Sequence, residues 1–425
     1  MSFTQSLLNN GAKVVLAPFV GTDAAAILVA FQVGSRNEAE NVWGGSHFVE
    51  HLMFKGTTRR PQTIDISKEL DRYGAQYNAY TGKDLTGYWV KIAAEHLPVA
   101  VDLLNDMIFH STFNAEEMER EKNVIVEEIK MYEENPIMHI EDLLEEAMFD
   151  GHILGKNIAG TAASVQGMKR DDVIAYHAAH YRPENMVIVV SGKLPSNILE
   201  QLENTFGTVP SSGVARSPFS VIGNQANTGR IRYQHKDLEQ IQLSLGFPTV
   251  GRGHADEAPL KLLSAILGGT MSSRLFVEVR EKRGLCYTVR TGVDAYQDIG
   301  MFTVRAGLDA KRLPEAIRVI CEELRKVSAD GVTAEELAMV KDNVRGGLSL
   351  SLEDSSDRAE FYGRQALFLD VIKEPAERLK VFDAVTLEDI ARVAKQYLHI
   401  DDMSLAAIGP FTGEDELRAL LPARA

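Results

Sequence analysis

The sequence predicts an α+β chain of two homologous α/β-layer domains, each a mostly antiparallel sheet packed by helices, related by internal duplication. Three observations carry that expectation. A length of 425 residues exceeds one ordinary domain and supports two buried cores. The segment Asn114-Ala-Glu-Glu117 returns as Thr333-Ala-Glu-Glu336, and MVIVVSG (186–192) returns as MSLAAIG (403–409), at offsets of 219 and 217. In each half a β-rich stretch comes first, helical segments follow, and an apolar strand ending in Gly192 or Gly409 closes the half.

Taken in order, ILVAFQVG (27–34) is nearly all apolar, while QIQLSLGF (240–247) alternates Ile241, Leu243, Leu245 and Phe247. Both read as strands of a partly covered sheet. Residues 45–55 read as a helix, GAQYNAY (74–80) and TGYWV (86–90) as a Gly-led strand and its hairpin partner, and Leu97 to His110 as a second helix. An acidic helix follows over 116–129. The stretch SSGVARSPFSVIGNQANTG (211–229), rich in Ser, Gly, Asn and Pro, reads as the linker between domains 1–210 and 230–425. In the second half PLKLLSAILGG (259–269) and Pro314 to Ser328 read as helices.

Composition bounds the class. With 45% hydrophobic and 25% charged residues, and no apolar run near the roughly 18 residues of a membrane span, the chain is expected to be globular, with no membrane. A formal charge of −15 argues against nucleic acid and suits neutral or basic ligands. Cys286 and Cys321 are too few for a disulfide framework or a thiolate zinc site, and read as buried thiols of a reducing compartment. The opening MSFTQSLLNNGAKVVLAPFV lacks the pattern of a secretory signal. The expected location is the cytoplasm of a bacterial-type cell, or the mitochondrial matrix if a transit peptide was removed.

The chemistry concentrates in HFVEH (47–51). On a helix His47 and His51 lie one turn apart on one face, where two imidazoles reach one ion, and Glu50 sits beside His51 toward the same side. A zinc peptidase needs three protein ligands, an open position for water, and a carboxylate that takes the water's proton. His47 and His51 supply two ligands and Glu50 the base; the competing reading is a surface helix with incidental histidines. The acidic helix is the richest source of the third ligand. Seven residues at about 100° each return within about 20°, so Glu121 and Glu128 share a face with Val124 and Ile125 between them. Glu127 points about 100° away, which favours Glu128 as the ligand and Glu121 as the carboxylate orienting a ligand or water, with Glu127 the competitor. The bland alternative is a solvated acidic face. His177 and His180 form a second spaced pair without a carboxylate at base spacing, and read as structural.

HFVEH matches the inverted zinc motif His-x-x-Glu-His of the inverzincins. Together with Glu121…Glu128, GAQYNAYTGKDLTGY (74–88), YRPENM (181–186) and LGGTMSSRLFVEVREKRGLCY (267–287), it resembles the pitrilysin family in its short two-domain form, along nearly the whole chain. That family includes insulin-degrading enzyme and mitochondrial processing peptidase. The resemblance implies a zinc endopeptidase with one Zn2+ per chain, cleaving peptides bound as an added β-strand in a chamber. It implies that Asn78 and Ala79 lie beside the scissile bond, that Tyr287 hydrogen-bonds the developing oxyanion, and that Arg280 holds the substrate backbone. It also implies a homodimer in which Arg280 and Tyr287 act on a partner's site. The rival is a non-catalytic or half-site subunit of a heteromeric processing complex. Shifted by 219, Glu121 and Glu128 fall on Val340 and Gly347, and the counterpart of HFVEH, PLKLLSAILGG, holds neither His nor Glu. The second half therefore cannot hold the same metal site.

Overall fold

The computed structural model describes residues 3–214, 219–222 and 230–421. The first half of the chain runs β1 (Thr4–Leu7), β2 (Lys13–Pro18), β3 (Ala24–Phe31), α1 (Gly45–Leu52), α2 (Thr63–Arg72), β4 (Gln76–Thr81), β5 (Thr86–Ala93), α3 (Leu97–Phe109), α4 (Ala115–Glu134), α5 (Pro136–Met148), α6 (Ala162–Gly167), α7 (Arg170–His180), β6 (Met186–Gly192) and α8 (Ile198–Asn204). The second runs β7 (Ile231–His235), β8 (Gln240–Val250), α9 (Glu257–Ser264), β9 (Cys286–Ala295), β10 (Ile299–Asp309), α10 (Leu313–Asp330), α11 (Ala334–Ser351), α12 (Ser355–Phe368), α13 (Pro375–Asp383), α14 (Leu387–Tyr397) and β11 (Ser404–Gly409).

The two sheets share one topology. The first has the order β1-β2-β6-β3-β5-β4 and the second β7-β11-β8-β10-β9. In each, one parallel pair, β2 with β6 and β7 with β11, joins an otherwise antiparallel ladder. Removing β1 makes the orders correspond strand for strand, so the duplication read from two short sequence repeats extends to the whole sheet. Strand β4 and its counterpart β9 end their sheets.

The chain divides into two compact units, and neither is continuous in sequence. Unit 1 comprises Met1–Ile129, Asn157–Ser220 and Gly347–Pro375; unit 2 comprises Lys130–Lys156, Val221–Gly346 and Ala376–Ala425. This differs from the division into 1–210 and 230–425. The change at 220/221 does fall within 211–229, of which 215–218 and 223–229 lie outside the described residues.

The reason for the exchange is that each sheet needs both faces covered. In unit 1, α1, α3 and α7 pack one face around Phe48, Leu104 and Tyr176, and α12 covers the other, with Ala359, Tyr362 and Ala366 against Leu28 and Val189. In unit 2, α5 lays Leu144 and Met148 on Met301, Ala406 and Ile408. These covers leave the central strands buried on both sides, not partly covered: seven of the eight residues of β3 are buried, and Ser244 and Gly246 of β8 are buried between its alternating apolar positions. Close approach is built in. A Cβ at Gly246 would stand 2.4 Å from the Met148 sulfur, and one at Gly363 of α12 would stand 2.8 Å from Cδ2 of Leu28. Among the described residues no helix is long and apolar enough to cross a membrane, and Cys286 and Cys321 are free and buried.

Candidate metal centre

Helix α1 has only eight residues, too few to hold a helix unaided, so its position is set by its contacts. Phe48, Val49 and Leu52 are buried in the core of unit 1, leaving His47, Glu50 and His51 partly exposed. The chain enters α1 through Gly44 at φ 91°, where a Cβ would meet the Ala159 carbonyl oxygen at 2.6 Å, so glycine is required. The Glu38 carboxylate accepts hydrogen bonds from the Gly44 and Ser46 amides, both at 2.8 Å, in the first turn where amides lack helical partners. Burial lifts Glu38 to about 7 against those hydrogen bonds.

Helix α4 brings the carboxylates. Its buried stripe is Met118, Ile125 and Ile129, with Glu121 at the stripe's edge and Glu128 just beyond it. Of Val124 and Ile125 between them, Ile125 is buried and Val124 is 51% exposed, because Val124 lies about 110° round the helix from the stripe. Glu127 is exposed.

Three donor atoms converge. Nε2 of His47 and Nε2 of His51 are 3.2 Å apart, and Oε2 of Glu128 stands 3.3 Å from the His51 nitrogen and 3.8 Å from that of His47. Two donors at zinc's usual 2.0–2.1 Å around a tetrahedral ion stand about 3.3 Å apart, so the spacing and the His-His-Glu set both fit zinc. The competitor Glu127 is not in the cluster.

Glu121 is arranged to orient a ligand. Its Oε1 is 2.8 Å from Nδ1 of His51, and its Oε2 accepts from Nζ of Lys55 at 2.7 Å. Burial opposes ionisation of Glu121, but His51 and Lys55 outweigh it and hold the carboxyl below its ordinary value. An ionised carboxylate only accepts, so Nδ1 of His51 carries the proton and Nε2 faces the cluster. Burial, aided by the charge of His51, lowers His47 to about 4 and keeps its lone pair available. Burial also opposes charge on His51, yet hydrogen bonds to Glu121 and Glu128 carry it up to about 9.

Glu50 stands outside the donor set. Burial raises its carboxyl above the ordinary value, against the hydrogen bond from Thr81 and the charge of His51. Thr81, the last residue of β4, donates its hydroxyl to Oε2 of Glu50 at 2.5 Å. Asn78 and Ala79 lie on the same edge strand; Asn78 is exposed, and its Oδ1 accepts from the Ala79 amide at 2.9 Å.

Arg280 and Tyr287 belong to unit 2. They lie beside each other, the Arg280 guanidinium 5.4 Å from the Tyr287 ring centre and 4.7 Å from that of Phe276. Tyr287 is 73% exposed, whereas Arg283 is paired with Glu278 at 2.6 Å. His177 is structural as expected: its Nε2 bonds the Ile108 carbonyl at 2.8 Å, and burial lowers both it and His180 to about 4. In the second half, α9 holds no histidine, and Val340 on α11 is fully buried.

Three groups escaped the sequence reading. Lys55, four residues beyond His51, carried a signal in the i+4 spacing that puts it on the ligand face. Thr81 carried one in the alternation of β4, which puts it on the same face as Ala79. Glu38 carried none, because its partners are backbone amides.

A profile described as Insulinase (Peptidase family M16) matches residues 13–162, and one described as Peptidase M16 inactive domain matches residues 167–344. The chain is 37% identical to YmxG, an uncharacterized zinc protease of Bacillus subtilis, over 94% of this chain and 97% of that protein. It is 34% identical to Rv2782c, an uncharacterized zinc protease of Mycobacterium tuberculosis, over 98% of this chain and 96% of that one. In fold it is similar to the crystal structure of a protease from Helicobacter pylori, with a TM-score of 0.89 at 24% identity, covering 96% of this chain and 99% of that one.

Proposed function

The chain belongs to the insulinase family of peptidases, family M16, and from that premise we propose that it is a zinc endopeptidase acting on peptides or unfolded segments. The observation that carries the proposal is the convergence of His47, His51 and Glu128, whose ligand atoms lie within 4.8 Å of one another, with Glu50 adjacent and outside the set. His47, His51 and Glu128 would hold one Zn2+. When bound, zinc supplies a Lewis acid that polarises a carbonyl and brings a water's pKa toward about 7.

The chain's own residues do the rest. Strand β4 ends its sheet, and a peptide pairing along that edge is held by main-chain hydrogen bonds, which give affinity without demanding a sequence. Asn78 and Ala79 then lie beside the bond to be cut. Glu50 takes a proton from the attacking water and passes it to the leaving amine, serving as base and then acid. Tyr287 hydrogen-bonds the developing oxyanion and Arg280 holds the substrate backbone, each from the same chain or from a second copy in a homodimer.

The test is cleavage of a fluorogenic peptide library by the zinc-loaded protein, with sizing on the same fraction. Cleavage that a chelator abolishes and zinc restores, in a fraction running as a homodimer, supports the reading. The similarity of residues 167–344 to an inactive domain favours a second reading, a half-site or non-catalytic subunit of a heteromeric complex. That reading predicts no cleavage by the pure protein and cleavage once an unlike partner is added.

A further inference from the structure

We infer that Thr81 is a positioning residue that holds the Glu50 carboxylate and ties its placement to the strand along which the substrate lies. The inference rests on the peptidase reading above and adds a residue to it.

Glu50 stands near the end of a short helix, and its side chain has three rotatable bonds, so α1 alone does not determine where the carboxylate points. The Thr81 hydroxyl, 2.5 Å from Oε2, removes that freedom. Thr81 is itself held by the pleat of β4. Ala79 packs on the α1 side in the core with Phe48 and Val49, while Tyr80 faces the opposite side and donates to Oε2 of Glu360 on α12 at 2.6 Å. The strand is thus gripped from both faces. Any displacement of β4 moves the hydroxyl that orients Glu50.

The hydrogen bond also assigns the two carboxylate oxygens. With Oε2 accepting from Thr81, Oε1 keeps both lone pairs for the proton leaving water: the water O–H breaks and Oε1–H forms as the water oxygen bonds the carbonyl carbon, and Oε1–H later breaks as the C–N bond breaks and the leaving amine nitrogen takes the proton. Thr81 keeps its own proton throughout. A carboxylate already bonded at one oxygen undergoes less rearrangement as the proton arrives, which is the advantage of preorganisation.

The test compares Thr81→Val, which keeps shape and removes the hydroxyl, with Thr81→Ser, which keeps the hydroxyl, on kcat, KM, zinc per chain and melting temperature. Thr81→Val should lower kcat about tenfold to a hundredfold, the worth of one hydrogen bond to a charged group, with KM changed by less than about twofold. Zinc per chain should be unchanged, and Thr81→Ser should restore kcat to within about threefold. In a Glu50→Gln background, Thr81→Val should have no further effect on residual kcat. Undiminished kcat in Thr81→Val, or a Thr81→Ser variant as slow as Thr81→Val, overturns the inference and leaves the peptidase reading standing. A zinc-loaded wild-type protein that cleaves nothing overturns the reading, and the inference with it.

Discussion

The edge of the first sheet and the matching edge of the second have the same neighbours in the same order, β5-β4 against β10-β9, yet among the described residues only the first lies beside a His-His-Glu cluster that could hold a metal. Helix α1, with His47 and His51, packs against β4, and α4 brings Glu121 and Glu128 to those histidines. Their counterparts in the second half are α9, without histidine, and α11, with Val340 and Gly347. A duplicated fold preserves sheet order and core packing, which depend on apolar pattern and volume. A metal site depends on particular side chains, and the second half keeps the sheet order without them. Glu121 and Val340 make the point at one position: both are buried, but Glu121 is paired with His51 and Lys55, and Val340 is packed among apolar residues.

The comparison can be broken most forcefully at Glu50. Glu50→Gln should reduce kcat by about a hundredfold to ten-thousandfold, the usual contribution of a positioned base, while zinc analysis still finds one ion per chain. Next comes the third ligand. Glu128→Gln should release zinc to a chelator that the wild type resists, and Glu127→Gln should not; the reverse result would move the ligand one residue along α4. A third change sharpens the contrast from the inert side. Val340→Glu buries a carboxylate with no partner and should lower stability by about 3 kcal/mol or more in denaturant unfolding, without adding a second zinc. Smaller still, Gly246→Ala pushes a methyl from β8 into α5 and Gly363→Ala pushes one from α12 into Leu28 of β3, and each should cost about 1–3 kcal/mol, which would show the two halves equal in packing though unequal in chemistry.

The last test varies pH. Burial holds His177 and His180 of unit 1 at about 4, below the ordinary 6.5, so the unfolded chain binds more protons than the folded one between those values. Their contribution is complete above about pH 6.5 and is lost as pH falls toward 4. Melting temperature should decline across that window, and less so in His177→Gln, which keeps a donor for the Ile108 carbonyl. An unchanged decline would assign the acid sensitivity elsewhere.

Much of the site was legible because it is local. His47 and His51 are one turn apart, and Glu121 and Glu128 two turns, so helical periodicity alone put each pair on a face. The strand at 74–80 appears as β4 over 76–81, and the acidic helix as α4 over 115–134. The same reasoning failed where the partner lies on another element. Of Val124 and Ile125 between Glu121 and Glu128, Ile125 is buried and Val124 exposed, because the direction of the core, invisible in one helix, decides which side is buried. Thr81 meets Glu50 across 31 residues, and α12 covers β3 across more than 300; no short-range pattern encodes either.

The sequence by itself determined the two-domain α+β class, the duplication, the candidate metal ligands His47 and His51 with Glu128 favoured over Glu127, and the absence of those residue types from the corresponding positions of the second half. Each of these is written in residue type at fixed short spacing or in direct repetition. Only the tertiary structure decided that α5 and α12 change units, that Glu38 caps α1 and Lys55 pairs with Glu121, and that Thr81 bonds Glu50. A helix seeks whichever apolar face completes its burial, and a hydrogen bond forms with whichever partner the packed core brings within about 3 Å, so these choices depend on the assembled fold and not on distance along the chain.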